Sequence, residues 1–376
     1  MEAHQVPVQR SLGDREDESS SSSSRMDEGG GGTTTGSTVG MTSDAGDTSD
    51  GQDIGPAVVP EMDTGGGGWI VGNVRSRARR AYQAWVSRKQ RVLNRVAEAE
   101  DADPEEARGW VPEQPELVAR EVLAAVRRLY GEVVCNEGKV VQYHRMQENP
   151  VFEEYTVVAR KLRATDPSRL SEPEKVAFFL NIYNALLLHA ITALGQPSTI
   201  LERMNLYSQA CYEIGGLVYS LNDIEHGVLR RNRPSPAPFS REPFARDDPR
   251  LRSAVLTRDP RIHMALNCGA NSCPALAAYE STHLDQQLDS AVSLFCGSEV
   301  VIHDDQPEVQ LSMIFRWYQG DFGDGSVLDV LRWVAPHLPA GKKERLEEML
   351  VHSEQNGGDI AVKYMRYDWS INDGRE

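Results

Sequence analysis

Two cysteines, Cys268 and Cys273, follow shortly after a histidine, His263, in Arg-Ile-His-Met-Ala-Leu-Asn-Cys-Gly-Ala-Asn-Ser-Cys-Pro, residues 261–274. These residue types could carry chemistry. A thiol becomes nucleophilic when a base, a cation or backbone N–H groups hold it as thiolate. Asn267, Gly269 and Asn271 are turn formers that tolerate positive φ, and Pro274 cannot donate to a continuing strand ladder. The cysteines therefore fall on a corner with backbone N–H groups close to sulfur. A second acid and imidazole, Glu225 and His226, stand together upstream, and Asn181, Tyr183, Asn184 and His189 interrupt a strongly apolar segment.

Three readings fit these residues. In a cysteine-dependent hydrolase or acyl transferase, Cys268 or Cys273 is the nucleophile and His226 or His263 the base. Glu225 or Asn184 orients the base, and the backbone of 269–272 supplies the oxyanion donors. Strand alternation from His263 puts residue 267, not 268, on its face, which favours His226. In a metal site, His226, Glu225, His263 and one or both cysteines would suffice for tetrahedral zinc by type and number, but their spacing matches no established ligand pattern. The Cys-x4-Cys spacing also differs from the Cys-x2-Cys of thioredoxin-like and zinc-knuckle sites. In the third reading the domain is a binding or scaffolding module for a protein or small-molecule partner, and the His/Cys corner is structural, since buried cysteines and carbonyl-capping histidines are common. The residues favour this last reading with the thiol enzyme as alternative; they leave open whether the chain is an enzyme, and no cofactor is expected.

Several elements must position these groups. Ile262, Met264 and Leu266 alternate as a short strand leading into the cysteine corner. Residues 221–229 read as a short helix capped by Asn222 or Asp223, carrying Glu225 and His226. Tyr212 to Ser220 reads as a hairpin turning at Gly215 and Gly216. Residues 175–194 are apolar around most of a helix circumference, with Ser171, Pro173 and two acids as a start signal, so a central buried helix is expected. Asn181 and Asn184 share one face of it and either hold a loop backbone or orient a side chain of the site. Apolar spacing predicts further helices over 117–130, 150–162, 284–295, 314–318, 327–335 and 342–350. Strands are expected at 300–302, 309–311 and in the alternating stretch 360–371.

Of 376 residues, 1–68 are Ser-, Gly- and acid-rich with almost no aromatics, and are expected to be a disordered tail. The tail lacks an apolar targeting core. Residues 69–100 combine an apolar face with Arg75, Arg77, Arg79, Arg80, Arg88, Lys89, Arg91 and Arg95. They read as a basic amphipathic helix that packs on the following domain or contacts an acidic partner or membrane surface. Residues 101–115 read as a Pro-rich linker, and 116–374 as one folded domain. No window approaches the roughly 18 apolar residues of a membrane span. A formal net charge of −16 argues against general nucleic-acid affinity. Five cysteines, an odd number, fit a reducing compartment, so an intracellular, cytoplasmic protein is expected.

Four motifs taken together carry a family likeness: Asn-Ile-Tyr-Asn at 181–184, Ser-Leu-Asn-Asp-Ile-Glu-His-Gly-Val-Leu-Arg at 220–230, His-Met-Ala-Leu-Asn-Cys-Gly-Ala-Asn-Ser-Cys-Pro at 263–274, and Tyr-Asp-Trp-Ser-Ile-Asn at 367–372. In order and spacing they resemble the family called domain of unknown function 547, over roughly 138–373 and most densely over 170–296. The resemblance implies no activity. In some members the domain is joined to a glutaredoxin, a phosphoinositide-associated module or a leucine zipper; this chain shows neither a Cys-x2-Cys nor a sustained heptad, so those partners do not carry over. The fold expected is α+β: a helix-rich domain around a small, mostly antiparallel sheet with a buried central helix.

Overall fold

A helix of 23 residues with almost no polar face has to be enclosed, and the fold is built around it. The computed structural model describes residues 90–95, 114–237, 239–303 and 306–374. All of these belong to one compact unit. In chain order the elements are β1 (Arg91–Val92), α1 (Pro115–Val133), β2 (Val134–Cys135), β3 (Val140–Val141), α2 (Pro150–Lys161), α3 (Glu172–Leu194) and α4 (Ile200–Gln209). Then come β4 (Ala210–Ile214), β5 (Leu217–Ser220), a π-helical turn over Asp223–Leu229, α5 (Leu284–Glu299), β6 (Val301–Ile302), β7 (Glu308–Leu311), α6 (Met313–Trp317), α7 (Val327–Val334), α8 (Ala340–Asn356) and β8 (Ala361–Tyr364).

The central helix is α3. Ser171 and Glu174 close a reciprocal capping box, Pro173 sits in the first turn, and every residue from Lys175 to Ile191 is buried. By length and apolar composition α3 passes the test for a membrane span, with mean hydropathy 1.6, contrary to the expectation that no window does. Its apolar stretch is 94% buried inside the protein, and the helices that pack on it take the place lipid would have. The hairpin β4–β5 turns at Gly215 and Gly216, whose φ values of 57° and 76° are those of a type I′ turn.

The helix-rich α+β fold around a buried central helix is the one expected, with its strands divided among three small sheets instead of one. They are β1–β4–β5, β2–β3 and β6–β7–β8. Two are mixed, because β1 joins β4 and β8 joins β7 in parallel. Hairpin neighbours pair antiparallel, whereas β1 and β8 arrive from distant parts of the chain and are free of that constraint. The basic helix expected over 69–100 is corrected where it can be seen: Arg91–Val92 form a strand held on Ala210 and Cys211. Asn94 fixes that strand by bonding Ala159 and Glu213 backbone. The rest of that helix, the tail 1–68 and most of the linker 101–115 lie outside the described residues.

Side chains pack into two cores. One gathers α1 to α4 with β4 and β5; the other gathers α5 to α8 with β6 to β8. The segment 262–274 lies along the seam, sending Ile262, Ala265 and Leu266 into the first core and Met264, Ala270 and Cys273 into the second.

Candidate functional site

The corner at 267–274 is shaped by its own side chains. Asn267 accepts from Gly269 N–H at 2.8 Å and donates to the Pro274 carbonyl at 2.8 Å, tying the ends together. Gly269 has φ +79°, and a Cβ there would come within 3.2 Å of Ile191 and 3.4 Å of Arg203, so only glycine fits without displacing them. The C-terminal segment clamps the corner from outside: Asn271 and Ser272 N–H donate to the Ser370 and Asp368 carbonyls, and Asn372 N–H donates to the Gly269 carbonyl.

This folding brings the two sulfurs within 2.8 Å of each other. Cys273 is buried and its sulfur accepts from the N–H groups of Cys268 (3.1 Å) and Ala270 (3.3 Å). Cys268 is partly exposed. The Tyr367 hydroxyl reaches both sulfurs, at 3.4 and 3.3 Å. Beside them lies Arg203 of α4, 4% exposed, whose guanidinium donates to the Cys268 carbonyl at 2.9 Å and the Trp369 carbonyl at 2.7 Å. No carboxylate among the described residues pairs with it, and a buried cation without a counter-ion is costly. Tyr207 and the thiols of Cys268 and Cys273 are the groups whose ionised forms its charge favours. The hydrogen bond from Cys273 pulls the Cys268 thiol down to about 6 against the burial that would raise it, with Arg203 and Tyr367 adding to the fall. Burial and the neighbouring Cys268 push Cys273 well up.

The second half of the site stands on the π-helical turn and the segment before α5. Ser220 and Asp223 bond reciprocally ahead of the turn, and Asn222, at the expected N-cap position, makes no side-chain cap bond. The π geometry places Glu225 and His226 both inward. Glu225 accepts from Tyr318 at 2.5 Å and Tyr183 at 3.1 Å. Although burial opposes it, its neighbours, among them the Tyr318 hydrogen bond and the Arg230 guanidinium, keep this carboxyl below its ordinary range. His226 Nδ1 faces the Arg230 guanidinium at 3.0 Å. A guanidinium only donates, so Nδ1 accepts and Nε2 carries the proton. Burial pushes His226 down to about 4, leaving it neutral.

His263 belongs to a 3₁₀ helix, Pro260–Met264, where a strand was expected. Asp259 caps it by accepting from Arg261 N–H and Pro260 opens it, a start signal that outweighs three alternating apolar residues. The turn aims His263 Nε2 at Asp321, 2.9 Å away, and stacks the ring on Tyr318. Asp321 also binds Arg230 and Arg233, each at 2.7 Å. Against burial, His263 and Arg230 hold its carboxyl far below the usual range. The carboxylate accepts, so His263 Nε2 donates and Nδ1 keeps its lone pair.

The two halves face each other across a cavity of about 60 Å³, room for a few waters. Cys268, Tyr367, Glu225, His226, His263 and Tyr318 line it, with Trp317 and Trp369 in its wall. Residues 167–296, which carry both halves apart from Asp321, Tyr318 and Tyr367, match the model of a family described as protein of unknown function, DUF547. No curated protein and no solved structure matches the chain.

Within the matched segment the structure brings together Cys268, Cys273, His226, His263 and Glu225, but not as the sequence arranged them. Neither imidazole hydrogen-bonds a sulfur. Asn184 orients no catalytic group: it donates to the Ala265 carbonyl and accepts from Asn267 N–H, both at 2.9 Å, while Asn181 brackets Tyr279 backbone. Glu225 orients tyrosines, and its 3.6 Å approach to His226 Nδ1 is secondary to Arg230. The 269–272 backbone offers no oxyanion donors, because the Gly269, Ala270, Asn271 and Ser272 N–H groups are spent on Asn267, Cys273, Ser370 and Asp368. Among the described residues no three His, Cys, Asp or Glu side chains converge as a metal site. Sequence reasoning missed Asp321, Arg203 and Tyr318, which stand outside the four motifs. Arg230 and Tyr367 stood inside them without a role.

Proposed function

We propose that this chain is an acyl-transfer enzyme with Cys268 as nucleophile. The observation that carries this reading is the buried Arg203, which has no carboxylate partner among the described residues and bonds the backbone of Cys268 at the wall of the cavity. The thiolate needs no imidazole to form it. Cys268 sulfur attacks an acyl carbonyl carbon; the C–S bond forms, the carbonyl π pair moves onto oxygen, and collapse of that oxyanion breaks the bond to the leaving group. His226 lines the cavity, and its Nε2–H is the donor left for the developing oxyanion. In the second step His263 Nδ1, oriented by Asp321, takes the proton of a water, alcohol or amine, which attacks the acyl carbon and releases the Cys268 thiolate.

Both histidines are held neutral, so no acid stands ready to protonate a leaving group. The substrates that fit are acyl donors whose leaving group departs as an anion, thioesters above all. Steady-state release of thiol from a panel of acyl thioesters tests this: C268S abolishes release, and H263Q slows it at the deacylation step. Equal turnover by C268S would exclude the reading. A binding module with a structural cysteine corner is the second reading, favoured by the full use of backbone N–H groups at 269–272. It predicts thiols that stay inert until the protein unfolds.

A further inference from the structure

We infer that Cys268 and Cys273 form a peroxide-responsive dithiol, in which oxidation of Cys268 is captured by Cys273 as a disulfide that removes the nucleophile from the cavity. The inference rests on the same accessible Cys268 thiolate as the acyl-transfer reading, but on none of its acyl chemistry.

The geometry is that of an attacking and a resolving thiol. Cys268 faces the cavity, and Cys273 lies behind it, 2% exposed and absent from the cavity wall. Their sulfurs are 2.8 Å apart, against about 2.05 Å in a disulfide, so the bond needs less than an ångström of movement. The turn over 270–273, closed by Cys273 N–H to the Ala270 carbonyl, already holds both side chains face to face. The other three cysteines have no such partner: Cys211 and Cys296 are buried and Cys135 stands alone on the surface.

The chemistry balances with a hydroperoxide as oxidant. Cys268 thiolate attacks the outer peroxide oxygen; the S–O bond forms, the O–O bond breaks, and the alkoxide or hydroxide leaves and is protonated by solvent. Cys273 sulfur then attacks the sulfenic sulfur. The S–S bond forms and the S–O bond breaks, with oxygen leaving as water that carries the Cys273 proton. The two sulfurs together lose two electrons and the peroxide gains them.

The test treats reduced full-length protein with hydrogen peroxide under native conditions and reads intact mass and peptide linkage. The expected result is loss of two hydrogens, a Cys268–Cys273 link and reversal by dithiothreitol. C273A is expected instead to accumulate a dimedone-trapped sulfenic acid at Cys268, and C268A to leave Cys273 unoxidised. Exposed Cys135 is the internal control. Peroxide that oxidises Cys135 but leaves thiols at 268 and 273, or a dimedone adduct on wild type as abundant as on C273A, would overturn the inference. If C273A does not fold, the ratio of disulfide to dimedone adduct in wild type decides alone. A disulfide without any thioester turnover would sink acyl transfer and spare the dithiol.

Discussion

Replacing Cys273 by alanine removes the strongest influence lowering the Cys268 thiol, and the consequence has opposite signs on either side of neutrality. With the Cys273 hydrogen bond the Cys268 thiol is pulled down to about 6; without it, burial opposes what Arg203 and Tyr367 still contribute, and the ordinary thiol value of about 8.5 is the working figure. At about pH 6 the thiolate fraction then falls from about one half to about one in 300, a loss of about 160-fold. The more basic thiolate is a better nucleophile by about 13-fold, for a Brønsted slope of about 0.45 over 2.5 units. The net expectation is a reaction roughly tenfold slower near pH 6 and roughly tenfold faster near pH 9, where both forms are mostly ionised. The assay is the initial rate of modification by a small methanethiosulfonate across pH, with mass spectrometry locating the label. Parallel pH profiles for wild type and C273A, or a wild-type rate still climbing above pH 7, would refute the hydrogen-bonded thiolate.

The remaining predictions concern the frame that holds the site. His226 and His189 are both pushed by burial to about 4, below their unfolded value near 6.5. The unfolded chain therefore binds the extra protons, and the stability present above pH 6.5 should drain away as pH falls towards 4. The slope is up to about 1.4 kcal/mol per unit for each histidine. Urea midpoints that stay flat over that window would contradict neutral burial. Asn184→Ala breaks two buried hydrogen bonds to the 265–267 backbone and should lower unfolding free energy by about 2–4 kcal/mol in denaturant titration, where a change under half a kcal/mol would count against the loop-holding role. Gly269→Ala forces a side chain onto φ +79° against Ile191 and Arg203. It should cost about 1–3 kcal/mol and move the thiol labelling profile towards higher pH, both absent if the corner is slack.

Much of the fold was legible because its signals are local. The apolar circumference of α3, its Ser171 start and the Gly215-Gly216 turn each specify one outcome whatever lies around them. At 262–266 the sequence misled, since three alternating apolar residues fit a strand and also a short 3₁₀ turn whose two faces enter two cores. The Asp259-Pro260 start was the deciding signal. The site was half legible. Cys268, Cys273, Glu225, His226 and His263 announce themselves by type, but what each does depends on neighbours that tertiary packing supplies. Asp321 lies 58 residues from His263, and Arg203 lies 65 from Cys268. No spacing rule connects them. The expected oxyanion donors failed for a related reason: a corner tight enough to join two sulfurs uses its own N–H groups to stay tight.

The most direct measurement of the central claim is rapid-quench intact mass spectrometry of the full chain mixed with a short acyl thioester, using H263Q to slow release of the acyl group. Acyl transfer through Cys268 predicts one added acyl group, mapped to Cys268, cleaved by hydroxylamine and absent from C268S. A wild-type protein whose Cys268 reacts with methanethiosulfonate near pH 6, yet never gains an acyl group from any thioester, would contradict it.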